Sequence, residues 1–193
     1  MRIIAGTFRS RTLVAPPGLD TRPTSDRLRE TLFNVLAPRI ESAVFVDLYA
    51  GSGAVGIEAL SRGAAQVTFV ERAPAALSVL RANLAKLGLT EVFTVQSGSV
   101  KAFLERLRPD RASGFDLVFL DPPYDAAQEY AGTLGLLGGE AIGALAPGAL
   151  VVAEHRRKVK LESRYGSLER IRLLEQGDAA LSFYAVRPVA SPE

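Results

Sequence analysis

Two short stretches of this 193-residue chain hold residue types whose spacing could do chemistry together. The first is Val46-Asp47-Leu48-Tyr49-Ala50-Gly51-Ser52-Gly53-Ala54-Val55-Gly56, in which Gly51, Gly53 and Gly56 fit the spacing G-x-G-x-x-G. They follow an apolar strand-like run and open a helical pattern. Glycines there let a ligand approach the backbone, and a carboxylate at the end of the next strand can accept both hydroxyls of a ribose. Glu71 stands at that position, twenty residues after Gly51. A bound adenosine moiety accounts for both features; the bland alternative is a tight turn with close helix-to-sheet contact.

Asp47 bears on the kind of adenosine ligand. A dinucleotide would place its pyrophosphate on the helix N-terminus, where a nearby acid is not required. S-adenosylmethionine has no phosphate but carries a cationic sulfonium and a free amino group, so Asp47 favours it, with loop capping as its other role. The second stretch, Leu117-Val118-Phe119-Leu120-Asp121-Pro122-Pro123-Tyr124, ends another apolar strand. In an open α/β sheet ligands bind at that edge, so Asp121 is expected to face the same crevice as Gly51. Two prolines remove backbone donors and leave carbonyl oxygens and a carboxylate around one point. Such acceptors suit a planar NH2 group on a base, held in line with a methyl donor, and Tyr124 can stack on that base.

These residues need a frame, and the order of elements supplies one. Residues 2–8 and 11–14 alternate and predict a short hairpin. A helix follows, capped by Thr24 or Ser25, with Leu28, Leu32, Val35 and Leu36 on one stripe, ending before Pro38. Strands over 44–48, 67–71, 91–96, 115–120 and 149–154 then alternate with helices, one of them begun by Pro74, lined by Leu77, Leu80, Leu84 and Leu87, and stopped by Gly88. Leu168–Leu174 and Ala180–Val186 form a terminal hairpin around Glu175-Gln176-Gly177-Asp178. The expected fold is therefore α/β: a Rossmann-like, seven-stranded, mostly parallel sheet with helices on both faces, a terminal antiparallel hairpin and a small N-terminal β-hairpin extension. Residues 1–23 are assigned to the extension and 24–193 to the main domain.

Composition narrows the classes. Hydrophobic residues make up 48% and charged residues 23%, as in a folded domain. No apolar run approaches the roughly 20 residues of a membrane span, and the N-terminus lacks the apolar core of a signal peptide, so a cytoplasmic location is expected. Cysteine is absent and histidine occurs once, which excludes disulfides, thiol chemistry and Cys-ligated zinc and predicts no metal site. Residues 1–41 and 155–193 each carry a net charge of +3 and residues 42–154 carry −4, so the middle is acidic and the ends are basic. His155 reads as a surface or strand-end residue, Arg156-Arg157-Lys158 with Lys160 as a solvated face, and Glu58 as helix surface or an internal ion pair.

With these motifs in view, the chain resembles a known family. Asp121-Pro122-Pro123-Tyr124 is similar to the signature of S-adenosylmethionine-dependent amino-methyltransferases. Arg2-Ile3-Ile4-Ala5-Gly6, Arg22-Pro23-Thr24-Ser25-Asp26-Arg27, Arg29 to Leu36 and Asp47 to Gly63 resemble bacterial 16S ribosomal RNA (guanine-N2)-methyltransferases, from residue 1 to about 187. The resemblance implies S-adenosylmethionine as cofactor and methylation of N2 of one guanine in small-subunit rRNA, within an assembling subunit. It implies catalysis by Asp121, Pro122, Pro123 and Tyr124, cofactor contacts from Asp47, Tyr49, Gly51, Ser52, Gly53, Glu71, Arg72 and Ser99, and RNA contacts from Arg9, Arg11, Arg22 and Arg27. Two positions depart from the pattern: Ser10 stands where the family turn has glycine, and Gly98-Ser99 where it offers Asn or Asp to the adenine. The competing readings are an amino-methyltransferase acting on DNA adenine or protein glutamine, and a nicotinamide-dependent oxidoreductase, which would leave Asp121 to Tyr124 without a purpose.

Overall fold

The computed structural model describes residues 1–15, 25–107, 114–123 and 127–187. Helix α1 (Asp26–Ile40) begins at Ser25, whose side chain accepts the Leu28 N–H, with Asp26 in the electropositive first turn. Leu28, Leu32, Phe33 and Leu36 bury one face. The helix does not stop before Pro38 but runs two residues past it: proline removes one rung, and Ile40, 5% exposed, is buried firmly enough to keep the last turn.

The alternating pattern then builds β1 (Val44–Leu48), α2 (Ala54–Ser61), β2 (Gln66–Glu71), α3 (Pro74–Lys86), β3 (Phe93–Ser97), α4 (Val100–Glu105), β4 (Phe115–Leu120), α5 (Ala127–Gly138) and β5 (Leu145–Arg156). β6 (Arg164–Tyr165), β7 (Leu168–Gln176) and β8 (Ala179–Val186) complete one sheet in the order β3-β2-β1-β4-β5-β8-β7-β6. The first five strands are parallel and β8 lies antiparallel to β5. The two-residue β6 is an eighth strand beyond the seven expected. Period-two alternation divides the core: Phe45, Phe69, Leu117, Phe119 and Phe183 pack with α1, α2 and α3, whereas Val46, Leu48, Val118, Leu120 and Tyr184 pack with α4 and α5. Leu77, Leu80, Leu84 and Leu87 are all buried.

The N-terminal segment folds back on itself as expected, but its antiparallel pairing is short: Arg2 bridges Thr12, Ile3 N–H donates to the Arg11 carbonyl at 3.0 Å, Leu13 N–H to the Met1 carbonyl at 3.0 Å and Ser10 N–H to the Ile3 carbonyl at 2.9 Å. The donors between these pairs are engaged by α2. Ile4 and Ala5 N–H donate to the Glu58 carboxylate at 2.8 and 3.0 Å. Thr7 N–H donates to the Ser61 carbonyl at 2.8 Å and Phe8 N–H to the Ser61 hydroxyl at 3.0 Å. Gly6, at φ +82°, lies so close that a Cβ would fall 1.7 Å from the Ser61 carbonyl oxygen, so only glycine fits. Ser10 has φ 67°, in the left-handed region where a glycine would carry no steric cost. Ile3 and Leu13 are buried in the same cluster as α1, leaving Arg9 and Arg11 exposed, with the Arg11 guanidinium over the Phe8 ring at 5.4 Å.

Glu58 has no exposed surface and collects this whole corner. Besides Ile4 and Ala5 it pairs with Arg62 Nε at 2.8 Å and with Arg29 Nε at 3.7 Å. Arg29, equally buried, also donates to Asp26 at 3.0 Å and to the Arg2 carbonyl. Burial lowers the Arg29 pKa, and Glu58 and then Asp26 oppose that shift. Removing one partner of a buried ion pair typically destabilises by about 3–5 kcal/mol, because the other charge is left uncompensated. Glu58→Ala is therefore expected to lower stability by about that amount in urea unfolding, and a loss below about 1 kcal/mol would show that this cluster does not anchor the segment.

Candidate active site at the carboxyl edge of the sheet

Strand order reverses at β1, which lies between β2 and β4, and the crevice of an open α/β sheet opens at the carboxyl ends of such strands. Register then fixes what stands there. Leu48 pairs with both Val70 and Leu120, Glu71 with Ser97, and Leu120 with Ala153. One residue on, Ser97, Glu71, Tyr49, Asp121 and Glu154 occupy a single level across the edge.

The three glycines of the loop differ in what surrounds them. A Cβ on Gly53 would meet Leu80 Cδ1 at 2.3 Å and one on Gly56 would meet the Phe69 ring at 2.3 Å, so these two serve close packing. Gly51, at φ +55°, has nothing within 4 Å of that position, and its face is open to a ligand. Glu71 gathers the loop: Oε2 accepts the Gly51 N–H at 2.8 Å, and Oε1 accepts the Arg72 and Ala73 N–H groups at 2.8 and 2.7 Å at the start of α3. The Ser52 carbonyl accepts a hydrogen bond from Asn83 Nδ2 at 3.0 Å. The same amide clamps the N-terminal segment, donating to the Val14 carbonyl at 3.0 Å and accepting its N–H at 2.8 Å.

Asp47 lies beneath this loop, 2% exposed, with Oδ2 accepting the Gly56 N–H at 2.9 Å in the first turn of α2. Burial raises its pKa to about 7; the Gly56 bond opposes this and the charge of Glu71 adds to it. Tyr49 has φ 65°, unusual for a bulky residue, and its hydroxyl is tied to α5 at 2.9 Å from Glu129 Oε2 and 2.7 Å from Thr133 Oγ1. Arg72 Nη1 lies 3.9 Å from Glu129 Oε1. Ser99 caps α4, its side chain accepting the Ala102 N–H at 3.2 Å. At the end of β4 Asp121 is half-buried, Pro122 buried and Pro123 exposed. Burial, then Glu154, then Asp47 raise the Asp121 pKa well above the ordinary range.

Of the other residues singled out in the sequence, Arg27 is exposed on the first turn of α1, whereas Tyr124 and Arg22 lie outside the described residues. His155 is not a surface residue. It is 3% exposed, with Nδ1 3.0 Å from the Arg156 carbonyl and Nε2 2.9 Å from the Ser182 hydroxyl, and burial lowers its pKa. Asn83, Glu129, Thr133 and Glu154 escaped sequence reasoning. Two of them left a signal there: Asn83 interrupts the apolar face between Leu80 and Leu84, and Glu154 ends an apolar strand as Asp47 and Asp121 nearly do. Among the described residues no group of acids and histidine could hold a metal, and no helix is long and apolar enough to cross a membrane.

Comparison with known proteins gives matches along nearly the whole chain. The family model described as conserved hypothetical protein 95 matches residues 1–185. A Bacillus subtilis protein named "Putative rRNA methyltransferase YlbH" is 36% identical over 187 residues, covering 97% of this chain and 100% of that protein. "Ribosomal RNA small subunit methyltransferase D" of Escherichia coli is 44% identical over 124 residues, which cover 64% of this chain and 60% of that protein. The solved structure titled "Putative methyltransferase yhhF from Escherichia coli" superimposes with a TM-score of 0.82 at 35% identity, over 97% of this chain and 98% of that one.

The environment of Asp47 gives stability a defined pH dependence. A carboxyl whose folded pKa is raised leaves stability intact below its unfolded pKa, near 4, and removes it progressively as pH rises toward the folded value of about 7. Asp47→Asn keeps an acceptor for Gly56 and no longer ionises. Wild type is expected to unfold at lower urea at pH 8 than at pH 5, and Asp47→Asn to shrink that difference by about 2–3 kcal/mol, with Asp121 supplying the remaining slope. Matching pH profiles in the two proteins would mean that Asp47 ionises as it does in water.

Proposed function

The chain belongs to the conserved hypothetical protein 95 family, and from that membership we propose that it transfers a methyl group from S-adenosylmethionine to the exocyclic N2 of a guanine in small-subunit ribosomal RNA. What supports this above all is the level shared by Glu71, Tyr49 and Asp121: an acid suited to a ribose and an acid suited to an amine stand on either side of β1, which leads into the glycine loop. The residues present fit the cofactor. Gly51 leaves space at the loop, and Glu71 places acceptor oxygens beside it. No phosphate has to be neutralised, and Asp47 supplies negative charge beneath a cationic ligand. A nicotinamide-dependent oxidoreductase would use the glycines and Glu71 but leave Asp121 to Pro123 idle.

When bound, S-adenosylmethionine supplies a methyl group on a positively charged sulfur that an amine nitrogen can attack in line. Glu71 accepts hydrogen bonds from the ribose hydroxyls. Ser52, Gly53 and Arg72 would hold the cofactor from the loop side, and Ser99 or the backbone amides beside it would meet the adenine. Tyr49, fixed by Glu129 and Thr133, forms a wall between cofactor and base. Asp121 would accept N–H bonds from the guanine amine and so orient its nitrogen to take the methyl group as the sulfur–carbon bond breaks and the neutral thioether of S-adenosylhomocysteine is left. Its raised proton affinity strengthens that acceptor, stabilises the positive charge growing on nitrogen, and suits it to take the proton released as the new N–C bond forms. Pro122 and Pro123 present no N–H that would compete for this carboxylate, and the aromatic ring of Tyr124, next in sequence, is the proposed stacking partner for the base. Arg9, Arg11, Arg22 and Arg27 contribute cations to the RNA surface, and the natural substrate is an rRNA guanine within an assembling small subunit.

Two single substitutions should separate binding from chemistry. Asp121→Ala is expected to abolish transfer of labelled methyl groups to unmethylated small subunits while weakening S-adenosylhomocysteine by less than about tenfold. Glu71→Ala is expected to raise the calorimetric dissociation constant of S-adenosylhomocysteine by at least about tenfold, since a hydrogen bond to a charged group contributes roughly 1.5–3 kcal/mol. Near-normal turnover in the first variant, or unchanged affinity in the second, would remove the role given to that residue.

A further inference from the structure

β5 ends on the same carboxyl edge as the candidate site. Leu120 pairs with Ala153, so Glu154 is level with Asp121 and Arg156 follows two residues later, about 7 Å farther along at roughly 3.3 Å per residue. The turn that begins there is closed and pinned. Val159 N–H donates to the Arg156 carbonyl at 2.8 Å, and Arg157 N–H donates to the Asp178 carbonyl at 2.8 Å. Val159 packs against the core while Arg156, Arg157, Lys158 and Lys160 are exposed. Among the described residues Arg157, Lys158 and Lys160 form no ion pair.

The strip continues toward α1. The β7–β8 turn holding Asp178 also carries Gln176, whose Oε1 is 3.2 Å from the Thr31 hydroxyl. That hydroxyl is 3.0 Å from the carbonyl of the exposed Arg27. Glu175 and Asp178 are the acids on this rim, with Asp26 and Glu30 beside Arg27. Arg9 and Arg11, by contrast, follow Thr7 and Phe8, which bond to Ser61 at the far end of a helix that starts at the glycine loop and is eight residues long, about 12 Å at 1.5 Å per residue.

We propose that Arg156, Arg157, Lys158 and Lys160, continued by Arg27, form the phosphate-binding rim that holds RNA backbone beside the reacting edge, with Arg9 and Arg11 as an outer contact. The inference rests on the rRNA reading above and names the surface that reading requires. Exposed cations on a rigid turn whose one apolar residue faces inward suit phosphates, where charge supplies the affinity. A protein partner would call for exposed apolar or aromatic anchors, which this turn lacks.

The test compares the full-length chain with Arg157→Ala/Lys158→Ala/Lys160→Ala and with Arg9→Ala/Arg11→Ala. The probe is a naked unmethylated small-subunit rRNA fragment, titrated across a salt series, with S-adenosylhomocysteine affinity and melting temperature measured in parallel. The triple variant should keep both parallel readouts, bind RNA at least about tenfold more weakly at 0.1 M salt, and flatten the slope of log affinity against log salt by about 2–3 units, the larger loss of the two variants. Wild-type RNA affinity and slope in the triple variant overturn the rim, whichever result the double variant gives. Loss of binding to a ribosomal protein with rRNA affinity intact overturns it too. Should wild type bind no S-adenosylhomocysteine while the triple variant still loses RNA, the methyltransfer reading fails and the rim stands.

Discussion

Glu58 is a carboxylate with no exposed surface, sitting in the middle of the helix that the glycine loop opens. A charge taken out of water at such a depth persists only if several donors surround it. Here they come from three parts of the chain: Arg62 one turn on in the same helix, Arg29 of α1, and the Ile4 and Ala5 amides of the N-terminal segment. The consequence is geometric. α1 and the segment cannot shift against α2 without stranding a buried charge, so the helix presenting the glycine loop is held from behind as well as from the sheet.

The sheet supplies the other half of the positioning. Both faces of these strands are apolar, so register is held by the fit of particular side chains: the rings of Phe45, Phe69 and Phe119 fill one face and the smaller Val46, Leu48 and Leu120 the other, and a one-residue slip would exchange them. Asp47, Glu71 and Asp121 are acids at or near the ends of such strands, which is why their convergence on one edge could be read from sequence. The succession of strands and helices, the helix faces and the terminal hairpin were legible for the same reason, since each follows from periodicity and from glycine or proline at the boundaries, whereas the order of the strands within the sheet was not.

What the sequence hid were relations between distant residues. Residues 2–8 and 11–14 pair as a short hairpin, yet the Ile4, Ala5, Thr7 and Phe8 donors bond to Glu58 and Ser61, more than fifty positions away. His155 reads as a surface or strand-end residue; it does stand at the end of β5, but Ser182 on the adjacent strand satisfies it inside the sheet rather than at the surface. Tyr49 gives no hint of its left-handed backbone, because the restraint comes from Glu129 and Thr133 on α5. Local propensity cannot anticipate a partner that only the fold brings near.

The side chain of Asn83 joins two places that differ in purpose. Its amide nitrogen donates both to the Ser52 carbonyl in the glycine loop and to the Val14 carbonyl of the N-terminal segment, while its oxygen takes the Val14 N–H; nearby, Lys86 Nζ holds the Thr12 carbonyl at 2.9 Å. One planar group thus fixes the distance between the cradle and the segment. Coupling of this kind is symmetric: whatever free energy an ordered cradle lends to the docked segment, a docked segment returns to the cradle. The N-terminal residues are, in that sense, part of the glycine loop's own architecture, although none of those described contacts Gly51 or Glu71 through any of these hydrogen bonds.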